Sequence, residues 1–95
     1  MVLEVSQITG IGSYEIKHEK DRKLYLKNQL AFLVLHRNTI EVRCDQNLAE
    51  NLKSKYESVM DSRYYGKGGI EIVLAGQLNQ QEIEDLIRLS YLMTQ

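Results

Sequence analysis

Residues 22–44 read RKLYLKNQLAFLVLHRNTIEVRC, and the rhythm of this stretch decides the fold class. In RKLYLK, Leu24 and Leu26 fall on one parity and Lys23, Tyr25 and Lys27 on the other, a period of two that marks a strand. Asn28 and Gln29 interrupt it. The run Leu30 to His36 (LAFLVLH) is almost continuously apolar, which suits a central strand covered on both faces. Arg37-Asn38 forms a two-residue turn, where Asn38 tolerates positive φ. Thr39 to Cys44 alternates again, placing Ile40, Val42 and Cys44 together. Residues 22–44 therefore read as an antiparallel meander.

Working outward, Ile11 to Ile16 looks extended, and the charged stretch His18 to Arg22 suits a hairpin turn. Residues 1–10 carry Val2, Leu3, Val5 and Ile8 and are compatible with either a short helix or a strand. Beyond Cys44 the period changes. Leu48, Leu52, Tyr56, Val59 and Met60 recur at helical spacing behind a cap at Asp45 or Asn47. Asp61 to Gly69 (DSRYYGKGG) reads as a loop, Ile70 to Leu74 as a strand. Asn79 with Glu82 resembles a capping box, opening a helix whose stripe is Ile83, Leu86, Ile87, Ser90, Tyr91 and Thr94. The expected domain is a single α+β unit over 1–95. About five antiparallel strands pack against two main helices in the order β-β-β-β-α-β-α.

Composition narrows the function. Ninety-five residues make one domain, and 43% hydrophobic with 26% charged residues is ordinary for a globular chain. Twelve Lys and Arg against 13 Asp and Glu leave a net charge of -1, without the general basic excess of a dedicated nucleic-acid binder. Any phosphate contact must come from a local cluster. Cys44 is the one cysteine, so no internal disulfide or cysteine metal cage forms, and a lone thiol fits a reducing, cytoplasmic setting. The N-terminus lacks the pattern of a signal peptide, and no apolar run is long enough to span a bilayer, so no membrane partner is expected.

No catalytic constellation assembles. His18 lies in a charged turn and His36 ends a strand, neither at metal-ligand spacing, so no metal or cofactor is expected. Cys44 falls on the apolar parity of its strand. Glu82, Glu84 and Asp85 sit in the first turn of a helix, where acidic residues complement the helix dipole. Arg63-Tyr64-Tyr65-Gly66-Lys67-Gly68-Gly69 differs. It is not a nucleotide-hydrolysing loop, because it precedes a strand and no Ser or Thr follows the lysine. Two cations, two tyrosines and glycines do suit phosphate contact and base stacking. The alternative is a flexible connection whose tyrosines pack on the sheet. Lys17, Lys20, Arg22, Lys23 and Lys27 form a second basic cluster, whose better part is the strand face shared by Lys23, Tyr25 and Lys27, or else a solvated edge.

The run from Tyr64 to Leu74, then Gly76, then Gln81 to Ile87, closing on Ser90-Tyr91, resembles the C-terminal part of MmcQ/YjbR-like proteins. Ala31-Phe32 after a lysine-rich strand and Leu48 to Tyr56 are compatible with the family's middle. The likeness spans about 70 residues. This chain has no tryptophan where the family usually carries one, at Ile70, and no proline before the lysine loop. The resemblance implies a compact double-wing α+β fold and a DNA-binding role, with Lys67 the carried-over residue and Arg63 and Tyr65 its neighbours. The expected function is non-enzymatic nucleic-acid binding through Lys67, Arg63, Tyr65, Tyr64, Lys23 and Lys27. The alternative is a protein-interaction or chaperone-like module acting as a dimer, using an exposed sheet face or the C-terminal helix, where Leu89, Leu92 and Met93 widen the apolar stripe.

Overall fold

The computed structural model describes residues 3–95; Val2 lies outside them. A short 3-10 turn at Val5–Gln7 precedes four strands: β1 (Glu15–His18), β2 (Lys23–Lys27), β3 (Leu30–Leu35) and β4 (Thr39–Arg43). Helix α1 (Gln46–Lys55) follows, then β5 (Val59–Ser62), β6 (Gly66–Val73) and α2 (Gln80–Met93). The strands form one antiparallel sheet in the order β1-β2-β3-β4-β6-β5.

The meander is as expected; the strand count is not. There are six strands rather than five, in the order β-β-β-β-α-β-β-α. The extra one is β5, which the helical spacing of Val59 and Met60 had assigned to the first helix. That helix ends at Lys55, because Tyr56 adopts extended φ, ψ of -127° and 125°. Val59 then faces the core, while Met60 turns outward. Both patterns fit the same two residues, and only pairing with β6 selects the strand. The stretch expected as a loop is thus mostly a β-hairpin, turning at Arg63–Tyr65 and at Gly66, whose φ is +60°.

Positive φ values fall at Asn28 (52°) and Gln29 (70°), in the β2–β3 turn, and not at Asn38. Immediately after this turn the β2–β3 register shifts. Leu26 opposes Ala31 and Tyr25 opposes Leu33, so Phe32 is an extra residue on β3. Such a bulge breaks the alternation of faces. Phe32 and Leu33 both join the main core, while Ala31 and Val34 pack on the opposite face with Leu24. This is why the apolar run does not alternate.

The main core lies between the sheet and the helices. Asp45 caps α1 through the Leu48 amide, and Asn79 with Glu82 forms a complete capping box on α2. Ile83, Leu86, Ile87, Ser90 and Tyr91 point inward from α2, matching the expected stripe. Helix α2 packs on β3 and β4, whereas α1 packs on β5 and β6. Among the described residues no helix is long and apolar enough to cross a membrane.

Candidate functional site

The face of the sheet away from the helices carries an unusual buried set. On β4, Thr39, Glu41 and Arg43 point to this side; on β6, Glu71 pairs directly opposite Glu41. Glu41 is fully buried and Glu71 only 6% exposed. Two adjacent carboxylates in such a place need compensation by hydrogen bonds and opposite charge.

They receive it from the β5–β6 hairpin and from the end of β3. Glu41 accepts from the Ser62 hydroxyl and the Tyr64 amide, both at 2.8 Å, and lies 2.5 Å from His36 Nε2. Glu71 accepts a two-pronged contact from Arg63, at 3.0 and 2.8 Å, and a 2.7 Å bond from Thr39. No buried side-chain polar atom among the described residues lacks a partner. Burial pushes the Glu41 carboxyl up. The Tyr64 amide, His36 and Ser62 outweigh that and hold it below the usual carboxylate range. The two glutamates are therefore anchors, and what they anchor is the hairpin turn.

The turn lies back over the sheet because Gly69 makes room for it. A Cβ on Gly69 would sit 2.5 Å from the Val42 carbonyl oxygen and 2.8 Å from the Tyr65 Cβ. Tyr65 crosses β4 to donate to the Ala31 carbonyl at 3.0 Å, beside Arg43 Nε at 2.9 Å. The bulge leaves this carbonyl in need of partners. Burial pushes the Tyr65 phenol well above its usual range, so it acts as a neutral donor. Tyr65 thus packs on the sheet and is not offered to a ligand.

Its neighbour is. Tyr64 is 41% exposed, with its ring edge-on to Tyr65 and the Arg22 guanidinium 5.3 Å above its centroid. Arg63 is bound to Glu71 but its side chain is 69% exposed. Arg22, paired with Glu19 at 2.6 Å, lies with Tyr64 and the Glu71-bound Arg63 on this side of the sheet. Arg22 stood in the second basic cluster of the sequence, but not on the strand face expected to make the contact.

The remaining candidates go elsewhere. Lys23 and Lys27 do not join this group, since they follow the parity of Tyr25, which packs in the main core. Lys27 is folded onto the end of α2, 3.0 Å from the Tyr91 carbonyl and 4.5 Å above its ring. Lys67 lines a separate cleft of about 450 Å³ with Glu50, Lys53 and Asp61, beside α1.

His36, Glu41 and Glu71 are also the one described trio with metal-ligand chemistry, their donor atoms lying within 4.8 Å of one another. The arrangement fits a metal poorly. Arg63 already occupies both Glu71 oxygens, and three donors occupy Glu41. A cation would have to expel a guanidinium that supplies the same charge. Sequence spacing hid this trio because its members are strand neighbours only after folding.

A second surface feature lies on the helix side. Leu48 of α1 and Leu86, Leu89 and Met93 of α2 line an apolar depression between the helices. Leu89, Leu92 and Met93 are 46%, 57% and 45% exposed. No protein-family model, curated protein or solved structure matches this chain.

Proposed function

We propose that this chain is a non-enzymatic nucleic-acid-binding module whose contact group is Arg22, Arg63 and Tyr64. The observation that carries the reading is the exposed Tyr64 ring, stacked by Arg22 and held in place at its backbone by a fully buried carboxylate. Burying two glutamates to fix one turn is costly for a small domain. It is understandable if the turn must present a rigid aromatic ring beside cations. Such a group suits stacking on an unpaired base with phosphate contact alongside. It is too small to grip duplex DNA across many phosphates, so single-stranded DNA is the preferred form.

The test is fluorescence anisotropy with labelled single-stranded and duplex DNA at low salt. Single strands should bind more tightly, and affinity should fall with salt. Tyr64→Ala should weaken single-strand binding about tenfold, given ~1–3 kcal/mol per stacked base. Lys67→Ala, remote from the group, should change little. No salt-dependent binding, or binding indifferent to Tyr64→Ala, would refute the assignment.

The apolar depression between the helices favours a second reading, a protein-interaction module. Three neighbouring exposed apolar side chains at the end of α2 are the observation behind it. Leu92→Lys would then abolish association with the partner while leaving DNA binding intact.

A further inference from the structure

The sheet has two free edges, and they are not alike. At β5 the register shifts between Asp61 and Ser62, and Asp61 is salt-bridged to Lys53 of α1 at 2.7 Å. A bulge and a charged crossing protect an edge against further pairing. At β1 the four residues Glu15, Ile16, Lys17 and His18 pair with β2 in unbroken register, and all four are exposed.

The direction of the backbone groups on β1 follows from its turn. The Glu19 amide donates to the Arg22 carbonyl at 2.9 Å. In an antiparallel ladder, residues alternate between pairs that bond to each other and pairs that point away. Glu19–Arg22 is a bonded pair, so Lys17–Leu24 and Glu15–Leu26 are bonded pairs as well. The amides and carbonyls of Ile16 and His18 therefore point outward from the sheet, unpaired with β2.

The side chains are arranged symmetrically about Ile16. Ile16 shares a face with its β2 partner Tyr25, the helix-bearing face, and is 44% exposed. Glu15 and Lys17 flank it on the opposite face, with opposite charges.

We propose that β1 is an association edge and that its partner is β1 of a second copy, paired antiparallel about Ile16. A two-fold axis through that point places Ile16 opposite Ile16 of the partner subunit, exchanging the outward backbone bonds. The same axis sets Glu15 opposite Lys17 of the partner subunit, and Lys17 opposite Glu15 of the partner subunit. Both charged pairs fall in non-bonded positions, where side chains approach most closely. The two exposed isoleucines cover one another on the other face. A slip of two residues, the smallest that keeps the outward backbone groups paired, would set Lys17 opposite Lys17 of the partner subunit, or Glu15 opposite Glu15 of the partner subunit, so the charge order also fixes the register. The two six-stranded sheets become one continuous sheet. This pairing does not depend on the nucleic-acid reading.

The test is sedimentation velocity of the full chain over a wide concentration range, with circular dichroism melts as a folding control. The wild-type chain should show a concentration-dependent monomer–dimer equilibrium, since a strand-edge interface is small. Lys17→Glu places like charges opposite one another twice and should raise the dimer Kd at least about tenfold. The charge swap Glu15→Lys with Lys17→Glu restores both pairs and should return the Kd close to wild type. A chain that is monomeric throughout would overturn the proposal. So would a dimer indifferent to Lys17→Glu, or a swap that fails to rescue. A dimer dissociated by Leu92→Lys and untouched by the β1 variants would place the contact on α2 instead.

Discussion

Ser90 of α2 donates a 2.5 Å hydrogen bond to the carbonyl of Phe32 and accepts a 2.8 Å bond from the amide of Arg43. It thereby stitches β3 to β4 beyond the point where their own ladder stops, at Leu33 and Val42. The bulge at Phe32 frees these backbone groups, and a helix side chain takes them up. Tyr91 packs edge-on against the Phe32 ring at 4.9 Å, and its hydroxyl donates to the Ser13 carbonyl at 3.0 Å. The Ser90-Tyr91 pair near the end of α2 is thus a structural rivet.

Ser90→Ala should destabilise the protein by about 1–3 kcal/mol, because both groups are left without a partner in a dry setting. Urea denaturation followed by circular dichroism measures this. Ser90→Thr, which keeps the hydroxyl but adds a methyl to a packed site, should lie between the two.

Gly69→Ala should cost more than the ~1 kcal/mol of an ordinary core methyl change, since backbone and Tyr65 both stand in the way. Tyr65 must lift from the sheet, and the hairpin with it. Near-ultraviolet circular dichroism should lose tyrosine signal in the native state. Tyr65→Phe, by contrast, leaves the Ala31 carbonyl with Arg43 and should cost only about 1 kcal/mol.

Arg63→Ala should lower the melting temperature of the protein. Glu71 then keeps only Thr39 as a side-chain donor, although water reaches part of the site through the exposed position of Arg63. Replacing both partners, Arg63→Met with Glu71→Met, should recover part of the loss. Thermal melts of the single and double variants decide it.

Acid sensitivity should trace to Glu41. Its folded pKa is lowered, so its contribution to stability is present above the unfolded value of about 4.3 and disappears as pH falls through the folded one. Glu41→Gln should be less stable than wild type at neutral pH, and its stability should fall less steeply below about pH 4. Equal acid slopes in urea titrations at several pH values would contradict this.

Much of the scaffold was readable in order along the chain. The alternation in 22–27 and 39–44, the cap at Asn79 and the stripe from Ile83 to Thr94 are local, and local periodicity reports them directly. Cys44, placed by parity in the core, is buried there. The candidate site was less legible. Arg63, Tyr64 and Tyr65 stand together in the sequence, but composition could not say that Tyr65 lies on the sheet while Tyr64 faces out. Lys23 and Lys27 looked like a patch because strand parity was visible and the identity of the covered face was not.

By itself the sequence determined the α+β class, the meander, the start of the second helix and the absence of a general basic excess, because each follows from spacing or composition within a short window. Tertiary structure alone decided the sixth strand, the bulge at Phe32 and the meeting of His36, Glu41, Glu71 and Arg63. These depend on pairing partners up to dozens of residues away. A residue such as Val59 satisfies a helix stripe and a strand face equally well, and only the neighbour it finds on β6 settles which it becomes.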